Sequence, residues 1–191
     1  MKSNKFILFV FLFITLIGYS QERWSLQFRP GLNVPFNDLG QDNLELGFGF
    51  EVRAAYNLMP HLKGYGGWSW NMFKTAENSM RNTTRLSESS FVFGAELKFP
   101  FENKSVNYFA YVGGVVGRIH LQDAMNTFNE KSDFGFGWQL GAGAEFRLDD
   151  QWSLKPDVRY RSLTQDIEIR AATIDVDLNY ISVGLGLVRK F

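Results

Sequence analysis

The sequence predicts an all-β chain, an eight-stranded antiparallel up-and-down transmembrane β-barrel. Three observations carry the prediction. Apolar and polar residues alternate with a period of two along most of the chain. The stretches that alternate are joined by short turns and longer polar segments in succession. No helix of any length competes, and no internal repeat longer than a hairpin appears.

The first twenty residues stand apart from this pattern. Lys2 and Lys5 give a positive start, Phe6 to Gly18 is apolar apart from Thr15, and Gly18 and Ser20 place small residues before Gln21. This layout predicts a signal peptide over 1–20, cleaved before a barrel domain over 21–191. The apolar run is shorter than the ~20 residues that cross a bilayer as a helix, and no cysteine follows it to carry a lipid anchor.

The first strand is expected at 24–36, where Trp24, Leu26, Phe28, Pro30, Leu32, Val34 and Phe36 share one face. The second, 44–58, sets Leu44, Leu46, Phe48, Phe50, Val52, Ala54, Tyr56 and Leu58 against Glu45, Gly47, Gly49, Glu51, Arg53 and Asn57. Weaker alternation marks 62–72 and 106–121, where glycines and aromatics blur the faces. At 90–101 Phe91, Phe93, Ala95, Leu97, Phe99 and Phe101 oppose Ser90, Gly94, Glu96 and Lys98. At 134–148 the same rule sets Phe134, Phe136, Trp138 and Leu140 against Gly135, Gly137, Gln139 and Gly141. Segments 152–162 and 180–191 complete the eight. Met59–His61, Glu102–Ser105 and Asp149–Gln151 read as tight turns, whereas Asn37–Asn43, Phe73–Ser89, Gln122–Asp133 and Thr164–Thr173 read as long loops.

Composition then narrows the environment. The 191 residues carry 20 basic and 20 acidic side chains, so no basic bias points to nucleic acid. Zero cysteines exclude disulfides, thiol nucleophiles and thiolate metal sites. Aromatic content of 16% beside 18 glycines suits neither a disordered chain nor a helical membrane protein. One face of each strand is Phe, Trp and Leu while the other is Gly, Glu and Arg. A soluble barrel hides its bulky apolar residues inside and shows polar ones to water. Glycines and ion-pairable charges fit a narrow interior instead, which turns the apolar face to lipid. Trp24, Tyr56, Phe99, Phe101, Phe146, Trp152 and Phe191 fall near the turn side, where an aromatic girdle belongs.

On these strands, and on its last residues, the chain resembles the small outer-membrane β-barrel superfamily of OmpA/OmpX-like eight-stranded barrels. The likeness spans residues 22–191. Phe191 at the end, preceded by Leu187, Leu185, Val183 and Ile181, resembles the signature read by the barrel-assembly machinery. Arg189 departs from that pattern. The resemblance implies a bacterial outer-membrane location, with outer-membrane lipid and lipopolysaccharide as surroundings and the assembly machinery as a partner during biogenesis.

Residues able to carry chemistry are few. His61 sits in a tight turn, and His120 lies near a loop end with Asp123 three residues on. A lipid A-modifying barrel enzyme needs a hydroxyl, a histidine base and an orienting carboxylate. Ser87, Ser89 and Ser90 are the hydroxyls within reach of His120. Two histidines at opposite ends of a barrel cannot share a metal ion. No catalytic residue, cofactor or metal site is therefore expected.

The glycine-bearing face is more informative. Arg29, Glu51, Arg53, Glu96, Lys98, Glu145, Arg147, Asp157, Arg159 and Arg161 fall on it. An eight-stranded barrel has an interior just wide enough for side chains, so these charges are expected to pair in one network. Near Leu163–Thr164 and Asn179–Tyr180 the apolar positions change parity, which reads as paired bulges or a twist beneath a strand pattern that continues through Ile167, Ile169, Ile174 and Val176. A projecting hairpin there offers an edge to an incoming strand. Arg81, Arg85, Asn78 and Asn82 in the second loop suit lipopolysaccharide phosphates. The expected function is structural or surface-interacting (adhesion or scaffold), with a surface protein partner bound through the loops and a filled interior. A narrow porin-like channel for small solutes is the main alternative.

Overall fold

The structure, a computed structural model, describes residues 23–36, 44–74, 84–100, 106–123, 129–169 and 172–191. The expected signal peptide over 1–20, Phe101, the turn at 102–105 and Asn78, Arg81 and Asn82 lie outside these residues.

Nine strands form among the described residues: β1 (Trp24–Pro35), β2 (Gly47–Met59), β3 (Leu62–Lys74), β4 (Thr84–Pro100), β5 (Val106–Asp123), β6 (Asn129–Lys131), β7 (Gly135–Arg147), β8 (Trp152–Ile169) and β9 (Ala172–Lys190). The eight long strands pair in antiparallel fashion with their neighbours, and β9 returns to β1, which closes the barrel. The short β6 pairs with β5 above the end of β7, so the sixth wall strand is built in two pieces. At the break, the Ile119 N–H donates to Ser132 Oγ (2.8 Å) and Gln165 Oε1 (3.0 Å), while the Gln165 amide donates to the Gly117 carbonyl (3.1 Å). Side chains thus replace the missing ladder.

Closure follows from the alternation. Phe28, Leu32, Phe48, Phe91, Phe136 and Val183 point outward and are exposed, Phe136 at 74%. Their alternates point inward and are buried, among them Arg29, Glu51, Arg53 and Arg161. Free energy favours this arrangement only where the outer surface meets hydrocarbon, because a polar wall would leave nothing to drive the apolar face from water.

Several boundaries differ from the sequence reading. β3 reaches Lys74 and β4 starts at Thr84, so part of the expected second loop is wall. β5 likewise runs to Asp123. Leu44 was placed on the lipid face, yet it packs partly buried beside an inner cluster. The faces left open at 62–72 and 106–121 are settled: Tyr65, Phe109, Tyr111, Val115 and Ile119 all face inward and are buried, as is Phe73, which the sequence reading placed in the second loop.

The expected bulges are absent. β8 and β9 keep one uninterrupted register from Trp152↔Arg189 to Ile169↔Ala172. The parity change has another cause, because the interior itself becomes apolar at the loop end. Phe73, Leu86, Ile119, Leu178 and Tyr180 form a buried cluster there, with Phe73 and Tyr180 in edge contact at 5.2 Å between ring centroids. Leu163 belongs to a second inner cluster just below.

Candidate functional site: the barrel interior

The interior is held together by carboxylates shared among cations. Glu51 on β2 accepts from Arg53 Nε and Nη2 (3.0 and 2.5 Å), from Arg159 Nη1 (2.5 Å) and from Arg161 Nη2 (3.0 Å). Glu88 on β4 accepts from Arg161 Nη1 (2.7 Å), Ser90 Oγ (2.7 Å), the Tyr180 hydroxyl (2.7 Å) and Asn71 Nδ2 (3.3 Å). Arg161, from β8, therefore ties the acids of β2 and β4 together, and it also donates to Gln139 and Ser69. Asp157 takes Arg29 Nε at 2.6 Å on one oxygen and the Tyr111 hydroxyl at 2.9 Å on the other.

Towards the turn end the cations become lysines. Lys155 Nζ lies 2.7 and 2.8 Å from the two oxygens of Glu96 and 3.8 Å from the centre of the Phe109 ring. Glu145 is flanked by Lys98 at 3.2 Å and Lys190 at 3.0 Å. Arg53 lies over the rings of Tyr65 and Tyr111, 4.0 and 4.6 Å from their centres. Each of these charges thus has a counter-charge or a ring face within contact, which is the condition under which charges persist away from water.

The interior charges read from the sequence meet here with one exception. Arg29, Glu51, Arg53, Glu96, Glu145, Asp157, Arg159 and Arg161 are buried inside, and Lys98 is nearly so. Arg147 is exposed on the rim at the turn end and takes no part in the buried cluster. The reading also missed Glu88, Lys155, Lys63, Tyr111 and Tyr180, whereas Gln139 is buried on the glycine-bearing face where the alternation put it. Lys155 shares parity with Asp157 and Arg159, so the signal for it was present. Glu88 was hidden in a stretch that reads as loop, and Tyr111 in a strand whose two faces are both apolar.

The hydroxyls near His120 are engaged with other groups. Ser87 Oγ donates to the main-chain carbonyl of His120 (3.4 Å), Ser89 Oγ accepts from Trp68 Nε1 (3.0 Å), and Ser90 serves Glu88. His61 is exposed in the β2–β3 turn. Among the described residues no group of three or more metal-ligating side chains gathers. At the chain end, Val183, Leu185 and Leu187 point outward at 56, 47 and 41% exposure, and the Phe191 N–H donates to the Trp24 carbonyl (2.9 Å). Arg189 lies 5.6 Å from the centre of the Trp152 ring and 4.9 Å from that of Phe191. Rings on both sides hold this arginine at the interface, where its charge can reach headgroups.

An apolar outer wall, a turn-end girdle and a polar ion-paired interior define an outer-membrane β-barrel. The chain belongs to the family described as outer membrane protein beta-barrel domain, whose model matches residues 8–191, and it resides in the bacterial outer membrane. It is 31% identical over 84 residues to the 31 kDa outer-membrane immunogenic protein of Brucella melitensis biotype 1 and to that of Brucella suis biovar 1. That match covers 41% of this chain and 34% of the Brucella proteins, about a third of their length. Neisserial surface protein A superposes with a TM-score of 0.67 at 14% identity, over 88% of this chain and 97% of that one. OprG of Pseudomonas aeruginosa gives 0.58 at 9% identity, over 90% and 98%. Ail of Yersinia pestis, solved in complex with the heparin analogue sucrose octasulfate, gives 0.55 at 14% identity, over 88% and 99%. At these identities the likeness is one of fold.

Proposed function

We propose that this barrel is a non-enzymatic structural and surface-interaction protein, exported by cleavage of residues 1–20, with its interior closed and its binding done by what it displays at the loop end. The observation that carries this reading is the β8–β9 hairpin. The last β8 residue paired with β7 is Thr164, opposite Phe136, and the last β9 residue paired with β1 is Tyr180, opposite Pro35. Beyond them Gln165–Ile169 and Ala172–Leu178 have strand partners, among the described residues, only in each other, although the Gln165 side chain still reaches β5 and Leu178 still packs in the inner cluster. Strands of 18 and 19 residues exceed the ~9–11 that cross the hydrocarbon, so the hairpin stands above the membrane. An edge of this kind accepts a strand from another protein through main-chain hydrogen bonds.

Lipopolysaccharide is the second partner the surface suits. Lys74, Arg85 and Arg118 are exposed near the loop ends of β3, β4 and β5, and Lys74 pairs in register with Arg85. Such a band matches phosphate groups at the outer face. That Ail was solved with a heparin analogue supports ligand binding by a barrel of this fold. The outward Val183, Leu185 and Leu187 and the closing Phe191 support recognition by the barrel-assembly machinery.

Photo-crosslinking in living cells from Ala172 and Asn82 tests the reading. A discrete protein adduct from Ala172 is the expected result. Adducts to lipid alone, from both positions, contradict a protein partner at the hairpin.

A further inference from the structure

The turn end of the barrel opens into a cavity of about 550 Å³. Arg23, Lys63, Lys98, Arg147 and Lys190 line it, together with the single acid Asp150. Glu145, the partner of Lys98 and Lys190, is itself buried with 1% of its surface exposed. Five cations thus face two carboxylates. The Lys98 and Lys190 side chains are only 19 and 16% exposed, so water screens them poorly.

The cavity is blind. Lys155 and Glu96, both almost fully buried and paired at 2.7 Å, stand further in with the Phe109 ring against Lys155, and the apolar cluster seals the far end. Whatever enters from the turn side has no exit through the barrel.

We propose that this vestibule is a binding site for a phosphate-bearing anion. A surplus of like charge in a poorly solvated mouth costs free energy, and a multivalent anion offsets that cost. Lysine ammonium groups are compact charges on flexible stems that converge on a tetrahedral anion from several walls, here β3, β4 and β9. Arg23 and Arg147 at the rim add planar guanidinium forks suited to phosphate oxygens. The volume falls within the roughly 300–1,000 Å³ of small-molecule sites. The same chemistry is offered by a soluble phosphate compound and by the headgroup of an inner-leaflet phospholipid.

The test uses the full barrel refolded in an uncharged detergent and titrated calorimetrically with inorganic pyrophosphate, with phosphorus NMR as a second readout. Arg147→Glu alters an exposed side chain, so it reads the site without touching the buried network. Lys98→Gln is scored only where heat-shifted gel mobility shows a folded barrel. Saturable binding, weakened about tenfold or more by both substitutions and unchanged by Arg118→Glu at the loop end, is the expected result and assigns a soluble ligand. Retention of phosphatidylglycerol in native mass spectra, lost in both variants while pyrophosphate fails to bind, assigns the site to a lipid headgroup. Binding of neither ligand, or binding indifferent to Arg147→Glu and Lys98→Gln, overturns the proposal. These outcomes are independent of any adduct formed at the hairpin.

Discussion

Glu51 receives four hydrogen bonds from three guanidinium groups and is fully buried. An amide in its place keeps the shape but removes the charge that holds Arg53, Arg159 and Arg161 together. Breaking a buried pair from one side leaves uncompensated charge, so Glu51→Gln is expected to cost about 3–5 kcal/mol in urea unfolding from lipid vesicles. Arg147→Ala, at an exposed rim position, is expected to stay within ~0.5 kcal/mol in the same assay. A comparable loss for both would show that burial of the network does not matter. The glycines of the inner face are explained at this scale too. A Cβ on Gly184 would stand 2.2 Å from Arg29 Cζ, and one on Gly113 2.3 Å from the Tyr65 hydroxyl. These large side chains lie flat on bare backbone, which only glycine provides.

Elements with one pure lipid face were legible in the sequence, and elements with a mixed interior were not. β1, β2 and β7 read cleanly because their inward positions are Gly, Gln, Glu and Arg against Phe, Trp and Leu outside. β3 and β5 did not, since Tyr65, Phe73, Phe109 and Tyr111 make the inward face aromatic as well. The start of β4 read as loop because Ser87, Glu88 and Ser89 carry no apolar alternation, although Glu88 is among the most buried acids. Continuity of register through the parity change on β8 and β9 was invisible for the same reason: a sequence shows polarity, and the barrel's interior changes polarity with depth. The break in the sixth wall strand offers a test at this scale. Gln165→Ala removes the groups that satisfy Gly117 and Ile119 on β5. Leaving such groups short of partners costs about 1–3 kcal/mol. Amide exchange at Ile119 is expected to accelerate while exchange deep in β7 stays slow; unchanged protection at Ile119 would show that Ser132 alone completes the ladder.

The whole molecule places two barriers in series along its axis. The ion-paired layer joins β1, β2 and β4 to β8 across the interior, and the apolar cluster of Phe73, Leu86, Ile119, Leu178 and Tyr180 lies above it. Ions do not cross an apolar constriction filled by side chains. Alanine at both Arg53 and Glu96 therefore loosens one barrier and leaves the other, so that variant is expected to remain closed. The filled axis supports the proposal that the protein works at its surfaces, the projecting hairpin at one end and the cationic vestibule at the other. Planar-bilayer recording of the refolded full barrel, unmodified and with Arg53→Ala and Glu96→Ala together, tests that claim most directly. Flat baselines from both are the expected result, and reproducible unit conductance steps from the unmodified barrel would contradict the account.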